Sequence, residues 1–336
     1  MNNSTFPINY RGDTLNRIKT LLRLTAALLT SATSPAMAQD FPSRPITLVA
    51  PFPAASVTDT VTRTLALSLQ EVLGQSVVVE NRAGAQGTVG AAYVARSKPD
   101  GYTLLVASSG MFVARSFYKT LSYDPMDSFQ PITGIGSTSM MFMVPEASPI
   151  RSIDDLTRAA RADGGTVSIG FGSPSGQLAL SLYATAAKVN PTPVAYRGIP
   201  QTLTDLLGGH VKVAIVDVGN GVAQINSGKM RSIAISAQAR SPAAPNVPTL
   251  EEAFPNVGVS LETIIAIVAP AGTPTATVQT LNSALLTVLA KPEVKARFAS
   301  LNTALLPLAT PALAQRLKGD NPKWEALIKK AGIEQE

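Results

Sequence analysis

Short runs of β-branched and other apolar residues alternate with helical patterns along most of this chain. In its first part, apolar runs at 46–50, 77–79 and 103–107 flank helical patterns at 59–73 and 88–96. This β-α-β-α-β order predicts a parallel sheet with helices packed on it. The chain has 336 residues, a length that suits two domains better than one or three.

A second unit of the same α/β kind follows. A capping box that begins at Ser152 opens a helix to about Arg161. Beyond it, the pattern predicts strands at 167–171, 211–216 and 233–236, and helices at 177–189, 202–207 and 221–227. A strand at 264–268 then precedes helices at 275–290, 292–301, 310–318 and 322–330. If these last helices cover the first sheet, the chain crosses between two lobes twice, near 140–144 and near 264–268.

The composition excludes several classes of protein. Hydrophobic residues are 45% and charged residues 15% of the chain, so it can bury sizeable cores, as a disordered chain cannot. The absence of cysteine excludes disulfides, thiolate metal sites and Cys nucleophiles. The formal net charge is +6, but no basic block with interleaved aromatic residues occurs, so nucleic-acid binding is not expected.

The N-terminal segment has the features of an export signal. Three basic residues, the last of them Arg23, precede a largely apolar stretch at 24–29, and Ala36-Met37-Ala38 matches an A-x-A cleavage site. The apolar stretch is too short for a membrane span, which takes about 20 residues. We therefore expect residues 1–38 to be a signal peptide cut after Ala38, with the mature protein in the periplasm.

Three loops of the first unit follow predicted strands. In open α/β sheets, ligands bind beyond the carboxyl ends of strands, where helix N-termini present free N–H groups to anions. Ser and Thr in such loops could instead merely cap helices, but three loops at one sheet edge favour an anion site. The candidate ligand contacts are Phe52, Ala54, Ala55, Ser56, Thr58, Asp59, Gly87, Thr88, Ser108 and Ser109.

The second unit offers four candidates for ligand contact. Ser173 and Ser175 lie in a strand-to-helix loop, and Asp217 follows a predicted strand. Arg197 could clamp a carboxylate or form a surface ion pair. The single histidine, His210, sits in a turn, so neither a Ser-His-Asp triad nor a zinc site is expected. These residues predict binding without catalysis, with no metal and no cofactor.

A series of short motifs runs in a fixed order from residue 41 to residue 274, within a resemblance that extends to about residue 333. The motifs are FPSRPI (41–46), PFPA (51–54), TD (58–59), VVENR (78–82), GTVG (87–90), PDGYTL (99–104), YDP (123–125), AYRG (195–198), LTDLLGG (203–209), SGKMR (227–231), RSP (240–242) and APAGTP (269–274). Together they resemble the Bug (TctC-like) receptors, the extracytoplasmic binding proteins of tripartite tricarboxylate transporters. Their shared order is far more specific than any one motif.

The resemblance implies an α/β, two-lobed periplasmic binding protein of type II-like architecture, with two Rossmann-like sheets joined by two hinge crossovers. On this sequence the first lobe would comprise 39–143 and 264–336, and the second lobe 144–263. The implied ligand is a small carboxylate, held at the first-lobe loops by backbone N–H groups, hydroxyls and water. The implied partners are the large and small membrane subunits of a transporter, and we expect a monomer.

The first loop departs from the family's usual PFPAGGSTD. Ala55 and Ser56 replace two glycines, Val57 replaces the serine, and Gln86 in the next loop replaces another usual glycine. Because a Cβ narrows the allowed backbone conformations, we expect the first-lobe contact to be altered. Two alternatives remain open, a periplasmic sensor subunit for a histidine kinase and a secreted enzyme on the same fold.

Overall fold

The strands of the chain form two separate sheets. The computed structural model describes Met1, Ser4 and residues 41–162, 167–255, 258, 261–330, 332–333 and 335. The strands are β1 (Ile46–Ala50), β2 (Val77–Asn81), β3 (Thr103–Ser108), β4 (Phe129–Thr138), β5 (Met140–Pro145), β6 (Ser168–Phe171), β7 (Thr192–Ala195), β8 (Val213–Asp217), β9 (Met230–Ile235), β10 (Thr263–Pro270) and β11 (Ala304–Leu308). The helices are α1 (Val57–Leu73), α2 (Thr88–Ala95), α3 (Ser109–Phe112), α4 (Ile153–Ala162), α5 (Pro174–Ala187), α6 (Ile199–Leu207), α7 (Val218–Asn226), α8 (Leu250–Ala253), α9 (Thr275–Ala290), α10 (Pro292–Ser300) and α11 (Thr310–Lys330).

The expected signal peptide at 1–38 and the cut after Ala38 lie outside the described residues, apart from Met1 and Ser4. From Phe41 onward the chain forms one compact unit. No helix within the described ranges is both long and apolar enough to cross a bilayer.

Each sheet combines a parallel block with antiparallel strands. The first sheet has the order β11-β4-β10-β3-β1-β2, in which β1 pairs in parallel with β2 and β3, as expected from the sequence. In that sheet β10 runs antiparallel to β3 and β4. The second sheet has the order β7-β6-β8-β5-β9, with β6 parallel to β7 and β8, and β5 antiparallel to β8 and β9. We call each sheet with its helices a lobe.

The central strands are apolar on both faces because each sheet is covered on both sides. Along β10, Ile265 and Ile267 join one core while Ile264, Ala266 and Val268 join the core on the opposite face. Strand β5 alternates in the same way in the second lobe. Met140 and Phe142 pack in one core, and Met141 and Met143 pack in the core on the opposite face. This pattern explains why these runs are continuously hydrophobic.

The chain changes sheets at Ser139, between β4 and β5. The whole of Met140–Pro145 therefore belongs to the second sheet, whereas the expected boundary of the first lobe was residue 143. The return crossing ends at β10. Both crossings meet at Ser236, whose buried Oγ accepts from Met140 N (2.9 Å) and donates to Leu261 O (3.1 Å). The Ser236 hydroxyl therefore hydrogen-bonds to both of the segments that connect the lobes.

Helix α11 connects the lobes a third time. The sequence predicts two helices, at 310–318 and 322–330, because Pro322 should interrupt the pattern, yet Thr310–Lys330 is one helix with Pro322 inside it. Leu313 and Leu317 pack in the first lobe, while Trp324 and Ile328 pack in the second. The end of the chain therefore covers the second lobe, although the expected first lobe included all of 264–336.

Candidate functional site

A small cavity lies between the lobes, next to the two crossings. Its volume is about 50 Å³, room for a few water molecules at about 10–15 Å³ each. Its apolar lining residues are Phe52, Val57, Met140, Ile199 and Ile265. Its polar lining residues, with Gly172, are Ser56, Thr58, Ser108, Thr138, Ser173, Ser175, Thr263 and Asp217. The lobes contact each other through the Gln86–Gln177 and Thr263–Ser175 hydrogen bonds, so hinge opening would make room for a solute larger than this volume.

The first residues of three helices meet at this cavity. Ser56 caps α1 by accepting from Asp59 N (3.2 Å), and Ser173 caps α5 by accepting from Gly176 N (3.1 Å). Asp217 caps α7 through Oδ1, which accepts from Asn220 N (3.0 Å). A helix N-terminus carries partial positive charge and unpaired N–H groups. The cavity is thus surrounded by anion-attracting backbone from both lobes.

Ser108, at the end of β3, supplies an unsatisfied hydroxyl. Its Oγ is buried, lines the cavity and has no hydrogen-bond partner in the described part of the chain. A hydroxyl that faces a cavity and has no protein partner is free to hydrogen-bond to whatever occupies that cavity. This hydroxyl therefore marks a position for a polar ligand atom.

The other residues of the first loop hold its shape. Asp59 does not line the cavity; its carboxylate accepts from Ala55 N (3.0 Å), Arg63 Nε (3.1 Å) and Asn81 Nδ2 (2.8 Å). Burial raises the pKa of Asp59, but these hydrogen bonds outweigh burial and hold the pKa below its usual value. Ala54 and Ala55 are exposed, and Ala55 is left-handed at φ 64°. The altered loop is thus a strained turn fixed by a buried carboxylate.

The second loop lies behind the cavity wall and reaches across the cleft. Gly87 packs near Phe52 and Met111, and Thr88 Oγ1 donates to Ala85 O (2.9 Å), so neither residue lines the cavity. Gln86, which is 5% exposed and left-handed at φ 52°, donates from Nε2 to Gln177 Oε1 of the second lobe (2.8 Å). This hydrogen bond latches the two lobes in the closed state.

Further polar and close contacts join the lobes. Thr263 Oγ1 of β10 donates to Ser175 Oγ of α5 (2.8 Å). Ser109 lies outside the cavity, and its hydrogen bond stays within the first lobe, where its Oγ accepts from Ile264 N of β10 (3.1 Å). A Cβ built on Gly219 of α7 would lie 2.3 Å from Leu301 O in the first lobe, and one on Gly198 2.6 Å from Pro53 Cδ. Glycine at these positions allows the lobes to close.

The charge in the cavity comes from Asp217. Within the lining set it is the one ionisable side chain, and it is 6% exposed. Burial raises the pKa of its carboxyl, and the hydrogen bonds from Asn220 offset that effect in part. Arg197, the residue that the sequence suggests could clamp a carboxylate, is exposed and does not line the cavity. His210 is exposed in the turn after α6.

Sequence reasoning missed the residues contributed by the two crossings. Thr138, Met140, Thr263 and Ile265 flank the hinge and line the cavity, as does Ile199 at the start of α6. They lie inside or next to strands whose pattern indicates only burial. The two crossings are far apart in the sequence, and only the folded structure brings them together as one wall of the cavity.

Comparisons with known proteins agree on one family. The family model described as "Tripartite tricarboxylate transporter family receptor" matches residues 61–333. The UPF0065 protein in the tcbD-tcbE intergenic region of a Pseudomonas species is 34% identical over 317 residues, 94% of each chain. The solved periplasmic binding protein BugD has a TM-score of 0.83 at 33% identity, covering 88% of this chain and 100% of BugD.

Two further solved structures carry a named acid. A protein of R. palustris solved with adipate has a TM-score of 0.83 at 30% identity, covering 88% of this chain and 100% of its own. MatC from Rhodopseudomonas palustris, solved with malate, has a TM-score of 0.81 at 28% identity, covering 86% and 100%. The chain thus belongs to the receptor family of tripartite tricarboxylate transporters and is a periplasmic solute-binding protein.

Proposed function

We propose that this protein captures a small carboxylate in the cavity between its lobes and presents it to the large and small membrane subunits of a tripartite tricarboxylate transporter. The observation that carries the proposal is the meeting of two helix N-termini at one cavity, that of α1 from the first lobe and that of α5 from the second. Each N-terminus favours a nearby anion. Helices from both lobes take part, so binding an anion there favours closure.

The way in which a carboxylate would be held follows from the lining. With no cationic side chain among the described lining residues, recognition depends on hydroxyls and backbone N–H groups. Ser108 Oγ donates to one carboxylate oxygen, while Ser56 and Thr58 sit at the opening turn of α1. The bound adipate and malate of the two similar structures support the same ligand class here.

The remaining parts of the proposal concern the protein's setting. We propose export through a signal peptide at 1–38 with cleavage after Ala38, followed by action as a monomer in the periplasm. Binding without turnover suits a cavity in which Asp217 is the one ionisable lining side chain within the described residues. No nucleic-acid partner enters the proposal.

A thermal-shift screen with small mono-, di- and tricarboxylates tests the proposal, followed by calorimetric titration of wild type and Ser108→Ala. Since a hydrogen bond to a charged group contributes about 1.5–3 kcal/mol, we expect Ser108→Ala to weaken binding about tenfold or more. The ligand-free variant should be about as stable as wild type, because Ser108 Oγ has no hydrogen bond to a described protein group to lose.

The matched control is Ser300→Ala, which removes an exposed serine hydroxyl on α10 and should leave affinity unchanged. Failure of every carboxylate to raise the melting temperature would refute the proposed function. Binding by Ser108→Ala at wild-type affinity would refute the cavity as its location.

A further inference from the structure

Asp217 gives the second-lobe wall of the cavity an acceptor character. It ends β8 and caps α7, and its carboxylate is buried between the strand and the cavity. Oδ1 accepts from Asn220 N (3.0 Å) and Oδ2 from Asn220 Nδ2 (2.8 Å). The backbone N–H groups of Asp217 and Gly219 also hydrogen-bond to this carboxyl and help to lower its pKa. Neutral donors thus occupy about as many positions as a carboxylate offers, and what remains unpaired is its negative charge.

Capping alone does not explain an acid at this position. Two other helices that begin at the cavity are capped by Ser56 and Ser173, and Ser or Asn caps a helix about as well as Asp. A buried carboxylate costs free energy unless it is paired. Asp217 accepts from N–H groups of neutral residues, and no lining side chain in the described ranges is cationic.

The two lobes therefore differ in what they offer a ligand. The first lobe presents the unsatisfied Ser108 hydroxyl and the N-terminus of α1, both suited to a carboxylate. At the second-lobe wall, a second carboxylate near Asp217 would set two like charges together in a cavity with little water, which strongly disfavours ionisation of both. A hydroxyl or an ammonium group there would instead donate to Asp217.

We infer that the preferred ligand is a small monocarboxylate with a hydroxyl or ammonium donor at its other end, the carboxylate facing Ser108 and the donor facing Asp217. This inference rests on the proposed function and narrows its ligand class. Asp217 is then the residue that discriminates such acids from dicarboxylates of the same length. The apolar lining from Phe52, Met140 and Ile265 accommodates the carbon chain between the two ends.

The test is a calorimetric titration of the full mature chain with a matched set: succinate, 4-aminobutyrate, 4-hydroxybutyrate and butyrate, with the homologues one carbon shorter and one carbon longer. At the best-fitting length, wild type should bind the amino or hydroxy acid at least about tenfold more tightly than the dicarboxylate. Asp217→Asn keeps an N-cap acceptor and removes the charge. It should abolish or reverse that preference while the ligand-free melting temperature stays close to wild type.

Asp124→Asn is the matched control, because Asp124 also accepts from backbone N–H groups two and three residues ahead, in a turn that does not line the cavity. It should keep the wild-type preference. Wild-type binding of the dicarboxylate as tightly as its amino and hydroxy counterparts would overturn the inference, as would an unchanged preference in Asp217→Asn. Either result leaves the proposed function standing. If wild type binds no acid of this set and none of the wider carboxylate screen, both the proposed function and the inference are refuted.

Discussion

Gly219→Ala should separate closure of the cleft from folding of the lobes. A Cβ at this position would lie 2.3 Å from Leu301 O and 3.0 Å from Val57 Cγ2, both in the first lobe. Real Cβ contacts keep at least 3.0 Å, so the lobes would have to part by about 0.7 Å or the backbone would have to shift. Overpacking of this kind costs about 1–3 kcal/mol.

Because the clash exists between lobes, opening the hinge relieves it. The cost therefore falls on the closed, ligand-bound state, and 1–3 kcal/mol corresponds to a loss of affinity of about 5- to 150-fold. The ligand-free variant should be as stable as wild type, or up to about 1 kcal/mol more stable, since alanine favours helix over glycine. Calorimetric titration with the tightest carboxylate measures the affinity, and urea unfolding measures the stability.

Gly319→Ala is the matched control, because Gly319 is also helical and a Cβ there meets nothing within 4 Å. It should leave affinity unchanged. An affinity of Gly219→Ala within twofold of wild type would refute the reasoning. So would a loss of several kcal/mol in the ligand-free protein, since the clash would then act within a lobe.

Three further changes test the loops around the cavity. Gln86→Gly removes the hydrogen bond to Gln177 and should weaken ligand affinity about two- to tenfold, because one hydrogen bond contributes a net 0.5–1.5 kcal/mol. Gln177→Ala should weaken affinity by the same factor. If the two losses add in the double variant, the two residues do not share one bond. Ala55→Gly relieves a left-handed alanine and should raise the free energy of unfolding by up to about 1 kcal/mol, measured in urea, whereas a decrease would show that φ 64° carries no strain. Asp59→Asn should cost about 1.5–3 kcal/mol at pH 7. The folded-state pKa of Asp59 is lowered, so its contribution to the free energy of unfolding is complete above the unfolded pKa near 4 and is lost as pH falls through the folded pKa. The stabilities of the variant and of wild type should therefore converge in acid. A stability difference that does not change with pH would contradict this.

Several elements follow from the sequence because their patterns are local. The runs around β1, β2 and β3 alternate with helices, and the loops after them end at the same sheet edge, as the order of a parallel sheet requires. Ser56 and Ser108 could therefore be predicted to approach one another, whereas Ser173 follows β6 of the second sheet and meets them only across the cleft. Asp217 joins them because its strand, β8, ends at the same cleft.

Other elements stay hidden because tertiary contact overrides local preference. Strand β4 contains Pro131, Gly134 and Gly136, residues that are depleted in strands. A Cβ on Gly134 would lie 2.9 Å from Leu308 Cβ, and one on Gly136 2.9 Å from Ala304 O, both in β11. The glycines permit the close approach of a neighbouring strand, which the sequence alone does not reveal.

Helix α11 is the clearest failure of local reasoning. A proline in a helix interior costs about 3 kcal/mol, and Pro322 therefore predicts a break. The apolar residues on its two sides bury against different lobes, Leu317 before it and Trp324 after it. Burial at both ends favours one continuous helix. Because the helix is continuous, its C-terminal part packs on the second lobe. No sequence pattern within 310–330 indicates this position.

A crystal structure of the mature chain with its tightest carboxylate tests the central claim most directly. The ligand should occupy the cavity between the lobes, with one carboxylate oxygen within about 2.5–3.0 Å of Ser108 Oγ. The N-termini of α1 and α5 should lie beside the same carboxylate. A carboxylate bound elsewhere, with Ser108 Oγ still lacking a partner, would contradict the account.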